Sequence, residues 1–231
     1  MIIKGFQATT LLDYPGQIAS IIFTPGCTFR CPFCYNKSLV ENSKELKELD
    51  EGKIFETLKG RKKLIDGVVI TGGEPTMFKD LPDFIRKLKS LGFKVKLDTN
   101  GTNPEMIKQL IKEKLIDYVA MDIKSSFEKY ELVSKVKFDF KKINESASLI
   151  MNGGVDYEFR TTAVPSLVKE KDFVNIGIWL KGAKTYGIQQ FKPMKNMIDD
   201  GFIYERNYSV DDLNRFKDIL KPYFKEVEVR A

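Results

Sequence analysis

The chain has 231 residues, the length of one ordinary domain or of two small ones. Its 42% hydrophobic and 30% charged residues fit a globular chain and argue against wholesale disorder. A net charge of +6 permits an acidic partner, while the absence of histidine excludes Ser-His-Asp and Cys-His nucleophile pairs, His-ligated zinc and histidine acid–base catalysis.

Residues 2–6 and the turn Asp13-Tyr14-Pro15-Gly16 predict a small N-terminal β-hairpin. The opening residues lack a basic stretch, an apolar stretch and a small-residue cleavage site, so no signal peptide is expected. No apolar run approaches ~18 residues, so no membrane span is expected either. Residues 17–24 read as a strand, 50–64 as a helix and 67–71 as the next strand. The basic run Lys59 to Lys63 suits the solvated C-terminal end of that helix, where the macrodipole favours cations. Residues 81–91 place Leu81, Phe84, Ile85, Leu88 and Leu91 on one helical face. Residues 94–98 form a strand and 104–115 a helix, with Asn103 placed to cap and Pro104 at the first helical position. Strands over 118–123, 155–163 and 188–192 then alternate with helices over 140–151 and 172–186. A helix over 211–223 and a short strand over 226–230 close the chain.

This alternation predicts parallel β/α units with right-handed crossovers. Six units are short of the eight of a complete barrel. The expected fold is therefore α/β: a partial (β/α)6 barrel with a short N-terminal hairpin. No linker or repeat divides it, so residues 1–231 are read as a single domain, with the core over about 17–193 and a C-terminal helix and strand over 209–230. Glycines entering the strands, Gly187 among them, read as helix C-caps.

Ligands in such folds sit at the C-terminal ends of the parallel strands, and the unusual residues fall there. After the first parallel strand come Cys27, Cys31 and Cys34, the only cysteines, all within eight residues. An odd, tightly clustered set is no disulfide framework, and a closed zinc site would be one ligand short. Three thiolates on one loop suit an iron–sulfur cluster with one iron left open. Gly72, Gly73 and Glu74 follow the second strand; the glycines allow close backbone approach, and Glu74 offers an anion to a substrate ammonium. Asp98 and Thr99, before an Asn100-Gly101 turn, end the third strand, and Asp122 and Lys124 end the fourth.

The C-x3-C-x-aromatic-C loop followed by Gly-Gly-Glu-Pro resembles the radical S-adenosylmethionine (SAM) superfamily. Thr9 to Gly16, read TTLLDYPG, is similar to the glycyl-radical-enzyme activases, in particular the subgroup activating anaerobic ribonucleoside-triphosphate reductase. The resemblance runs from about Gly5 to Lys124. It implies a [4Fe–4S] cluster on Cys27, Cys31 and Cys34 whose open iron binds the amino and carboxylate groups of SAM. It also implies that Gly72, Gly73 and Glu74 meet the SAM amino group, and that Phe33 and the Tyr35 backbone pack on adenine. Asp122 and Lys124 would face the SAM carboxylate and ribose, and Arg160 would offer a further carboxylate contact. Asp98, Thr99 and Asp122 match the ligands of the monovalent cation found beside SAM in pyruvate formate-lyase activases. Two departures stand out: Tyr35-Asn36 where such activases often carry His-Asn, and Met194 where a histidine would approach the ribose.

The implied reaction is reductive cleavage of SAM, followed by hydrogen-atom abstraction from a glycine of a partner protein. Radical chemistry on a cofactor accounts for an enzyme without histidine. With no cysteines left for auxiliary clusters, the electron must come from outside, from a flavodoxin or ferredoxin. Thiolate ligands imply a reducing, cytoplasmic setting. Neither a nucleic-acid nor a membrane partner is expected. Two other readings stand beside this one: a small-molecule radical SAM enzyme like the 7-carboxy-7-deazaguanine synthases, and a non-catalytic iron–sulfur electron-transfer or binding protein.

Overall fold

A computed structural model describes residues 1–42 and 44–231. Eight strands form one sheet in the order of the chain: β1 (Gly5–Thr10), β2 (Ala19–Thr24), β3 (Gly67–Gly72), β4 (Lys94–Thr99), β5 (Tyr118–Asp122), β6 (Asp156–Ala163), β7 (Thr185–Gln190) and β8 (Glu226–Arg230). The first pair is antiparallel and every later pair parallel. Among the described residues β1 and β8 do not pair, so the barrel stays open on one side, as expected.

Helices α1 (Lys37–Val40), α2 (Glu51–Gly60), α3 (Leu81–Ser90), α4 (Pro104–Lys112), α5 (Tyr130–Ser134), α6 (Phe140–Asn152), α7 (Glu170–Trp179) and α8 (Val210–Leu220) fill the connections. Several of them start where the sequence supplies a cap. Asp50 accepts from the Lys53 amide at 2.8 Å, and Asn103 from the Met106 amide at 3.2 Å with Pro104 behind it. Ser209 and Asp212 form a reciprocal capping box at α8. α3 buries Leu81, Phe84, Ile85 and Leu88 of its apolar stripe completely or nearly so, while Leu91, just past its end, is partly buried. Val68, Val69 and Ile70 of β3 show no exposed surface, as befits a parallel strand covered on both faces. Each such side chain contributes about 1.5–3 kcal/mol through burial. No described helix is long and apolar enough to cross a membrane.

Three differences from the sequence expectation have clear causes. The N-terminal strand lies at 5–10 and not 2–6, and its hairpin partner is β2 itself, with Gly5 opposite Phe23. Strand β7 begins at Thr185, because Gly187 is an interior strand residue. This glycine lies beside the Arg230 and Arg160 side chains, where a Cβ would make only ordinary van der Waals contacts at 3.4 and 3.6 Å, and it ends no helix. The final strand β8 pairs in parallel with β7, adding a seventh parallel strand to the six of the expected core.

The barrel interior carries charge as well as apolar bulk. Lys96 and Glu158 are buried at 2% and 0% exposure, with Arg160 and Arg230 bonded to the same carboxylate network. The 13–16 turn closes the N-terminal end of the strands. Tyr14 packs against Ala19, Ile21 and Val69 and tilts onto Tyr118 at 6.0 Å, while Lys96 Nζ donates to the Asp13 carbonyl.

Candidate active site

The opposite end of the barrel holds a cavity of about 450 Å³. Cys27, Cys31 and Cys34 all line it, and all are free thiols. Their loop is held from several sides. Gly26 N donates to the Leu39 carbonyl at 2.7 Å, Arg30 N to Ser134 at 2.8 Å, and Cys34 N back to Cys31 at 3.1 Å. Phe29, only 2% exposed, anchors the middle of the loop against Tyr130 and Phe138. Burial pushes the Cys27 thiol up to about 11 and Cys31 up to about 12; it raises Cys34 as well. These are thiols that would ionise only with strong local compensation, the kind a bound metal cluster supplies.

Gly72 and Gly73 form the facing wall. Gly72 adopts φ +116°, and Gly73 crosses so close to the cysteine loop that a Cβ on it would lie 1.6 Å from the Gly26 carbonyl oxygen. Two backbone bonds lock this crossing: Gly73 N to Thr24 O at 2.8 Å and Glu74 N to Gly26 O at 2.7 Å. The expectation for the Glu74 side chain needs correcting. It is 0% exposed, does not line the cavity, and spends both oxygens inside the protein. Oε1 accepts from Thr76 N, Thr76 Oγ1 and Thr99 Oγ1, and Oε2 from Asn100 N at 2.6 Å. Burial raises its carboxyl above the ordinary range, against the pull of those hydrogen bonds. Glu74 thus ties the end of β3 to the end of β4 and offers no free anion to a ligand ammonium.

Asp98, Thr99, Asp122, Lys124 and Arg160 come together on the cavity wall. Their pairing was not predicted. Arg160 Nε contacts Asp122 Oδ1 at 2.9 Å, and its Nη2 contacts Asp98 Oδ2 at 3.4 Å. Lys124 Nζ contacts the other Asp122 oxygen at 3.0 Å. Thr99 Oγ1, for its part, is turned to Glu74. Asp98, Thr99 and Asp122 are therefore not set up as a shared cation site, because a guanidinium already stands between the two carboxylates. Among the described residues no group of three His, Cys, Asp or Glu side chains is gathered for a single ion. Burial alone would raise the Asp122 carboxyl, but Arg160 and Lys124 overcome it and hold it down at about 2. The converse holds for Lys124 and Arg160: burial lowers them, and their carboxylate partners bring both above their ordinary ranges.

Phe33 is buried on the cavity wall with its ring edge-on to Phe191 at 6.5 Å. Tyr35 lines the same cavity, lies parallel to Phe191 at 6.5 Å, and its hydroxyl accepts from Lys192 N at 3.1 Å. Met194 is half exposed and does not line the cavity. Sequence reasoning missed Thr162, Gln189 and Gln190, which also line the cavity, as do Gln7 and Asp13. It also read Asn100 as a turn residue, although Asn100 lines the cavity and touches a cysteine. Position at a strand end was the one signal that could have found them.

The sequence pattern of the radical SAM superfamily matches residues 21–174, which spans the cysteine loop and the four strand ends just described. The chain belongs to the radical SAM superfamily. A protein of Methanocaldococcus jannaschii, provisionally named a glycyl-radical enzyme activating enzyme, is 36% identical over 100% of this chain and 96% of its own length. The pyruvate formate-lyase-activating enzyme of Clostridium pasteurianum is 28% identical over 74% of this chain and 71% of its own. Among solved structures, Streptococcus suis SuiB bound to S-adenosylmethionine superposes with a TM-score of 0.68 at 15% identity, covering 90% of this chain. The radical SAM fold is thus shared, although the chain spans about half the length of the SuiB structures.

A radical SAM protein carries a [4Fe–4S] cluster and SAM, and the residues present fit both. Three unpaired thiols line one cavity, on a loop whose backbone is held by hydrogen bonds, which suits a cluster held by three thiolates. Beside them the glycine wall and the Asp122, Lys124 and Arg160 charges supply polar contacts for an amino acid moiety.

Proposed function

We propose that this radical SAM enzyme generates a glycyl radical on a partner protein, and that the partner is an anaerobic ribonucleoside-triphosphate reductase. The observation that carries the activase reading is the match to the M. jannaschii protein, 36% identical over 100% of this chain and 96% of its own length. The choice of reductase rests on the Thr9 to Gly16 segment.

When bound, the reduced cluster supplies the electron that cleaves SAM and so the radical that removes a hydrogen atom. This chain's residues do the rest. Cys27, Cys31 and Cys34 hold the cluster at the mouth of the barrel. Gly72 and Gly73 keep the opposite wall flat, so that their peptide groups can approach the SAM amino group. Lys124 would meet the SAM carboxylate, and Arg160 and Lys124 both pair with Asp122 beside it. Phe33 and the Tyr35 backbone, both on the cavity wall, would pack on the adenine. The gap between β1 and β8 leaves a side through which a glycine-bearing loop could enter. The three cysteines are spent on one cluster, so the electron comes from an external donor, a flavodoxin or ferredoxin.

The test is electron paramagnetic resonance on the reductase after anaerobic incubation with this chain, SAM and a reductant. A glycyl-radical signal that requires all three components is expected. SAM consumption without any signal on the reductase would overturn the reading.

A further inference from the structure

We propose that Asn100 is a positioning residue for the iron–sulfur cluster: its amide donates a hydrogen bond to the Cys27 sulfur and thereby raises the cluster's reduction potential. The proposal rests on family membership alone and is independent of the activase reading.

The orientation of the Asn100 amide is fixed by its neighbours. Its Oδ1 lies 3.0 Å from the Thr102 backbone nitrogen, which can only donate, so the oxygen must face Thr102. The NH2 group must then face the cysteine loop, where Nδ2 lies 2.8 Å from Thr28 Oγ1 and 3.6 Å from Cys27 Sγ. The hydroxyls complete a closed ring. Thr102 Oγ1 donates to Asn100 Oδ1 at 2.8 Å, which uses its one proton. The 2.9 Å contact between the two threonines is therefore a donation from Thr28 to Thr102. Thr28 Oγ1 in turn accepts one Asn100 proton, and the second Asn100 proton is left for the sulfur.

This ring joins the residue next to Cys27 to the loop after β4. It is backed from inside the protein by Glu74, whose buried carboxylate accepts the Asn100 backbone amide at 2.6 Å. Asn100 is 5% exposed, so water competes little for the contact. The Cys27 sulfur also accepts from Phe29 N at 3.4 Å, which gives it two N–H donors. Reduction adds negative charge to a cluster and its thiolates, and an N–H dipole aimed at a sulfur stabilises the reduced form more than the oxidised one.

The experiment uses the full chain, reconstituted anaerobically with iron and sulfide and titrated without SAM, with the midpoint potential read by paramagnetic resonance. Asn100→Ala is expected to make reduction about tenfold less favourable, a shift of ~59 mV to lower potential for one electron. Asn100→Asp keeps the size of the side chain and the acceptor for Thr102, but turns an acceptor towards the sulfur; its potential should fall at least as far. Thr102→Ala keeps the backbone donor that orients Asn100 and should hold the potential of the unmodified chain. A fully iron-loaded Asn100 variant at the unmodified potential would overturn the proposal. So would an equal drop in Thr102→Ala, or failure of both Asn100 variants to hold a cluster, since either would make the role structural.

Discussion

Gly73 passes the cysteine loop so closely that a methyl group on it would lie 1.6 Å from the carbonyl oxygen of Gly26. Both partners in that contact are backbone, so neither can rotate away. The Gly-Gly pair therefore first brings two strand ends together and only then offers a flat wall to a ligand.

Gly73→Ala is accordingly expected to cost ~3 kcal/mol or more, at the upper end for a single substitution. Denaturant unfolding of the cluster-free protein checks this. The same variant should lose iron on reconstitution, because the crossing strand positions the loop that carries Cys27.

Glu74→Gln separates the two readings of the Gly-Gly-Glu segment. The carboxylate accepts donors on both oxygens, and a glutamine must turn an NH2 towards one of them. A loss of about 2 kcal/mol in the stability of the cluster-free protein is expected from the donor left unsatisfied. A residue held in reserve for the SAM ammonium would show the opposite pattern, with unchanged stability and weakened SAM binding.

Asp122 gives a pH signature. Its carboxyl is held down to about 2 against an ordinary value of 3.8, the net of burial, which raises it, and the stronger opposing pull of Arg160 and Lys124. A group depressed in the folded state stabilises the protein above its unfolded value and loses that contribution as pH falls through the folded one. The full shift would be worth about 2 kcal/mol, and the 32% exposure of the side chain reduces this to about 1 kcal/mol. Asp122→Asn should therefore unfold more easily than the unmodified protein at pH 7. Between pH 4 and 2 the difference should shrink. Acid titrations of the two proteins, followed by circular dichroism, report it.

Cys31→Ala should reduce bound iron from about four atoms per chain to a small residue, because three thiolates are the fewest that hold such a cluster with one open iron. Iron analysis of the reconstituted variant tests this. An unmodified chain holding well above four irons would contradict the assignment of all three cysteines to one cluster.

Much of the site was legible because its signals are local. The three cysteines, the paired glycines and the carboxylates each sit within a few residues of a strand end, and strand ends follow from hydrophobic periodicity. What escaped the sequence depends on which side chain meets which. Nothing around Glu74 announces that its carboxylate turns inward to Thr99 and Asn100, which lie 25 and 26 residues away. Arg160, on β6, reached its expected cavity, but its position between Asp98 and Asp122 depends on the register of three strands. Gly187 misled the reading of β7 because a glycine inside a strand looks, in sequence, like one that ends a helix. In the TTLLDYPG segment, Tyr14 packs on Tyr118 near the N-terminal end of the strands, while Asp13 lines the cavity.

The central claim, that this chain removes a hydrogen atom from a partner's glycine, is tested most directly by isotope transfer. The reduced, reconstituted protein is mixed with SAM and an anaerobic ribonucleoside-triphosphate reductase whose glycines carry deuterium at Cα. The 5′-deoxyadenosine released should carry one deuterium, in step with the appearance of a glycyl-radical signal. Release of 5′-deoxyadenosine without deuterium, and with no radical on the reductase, would contradict the claim.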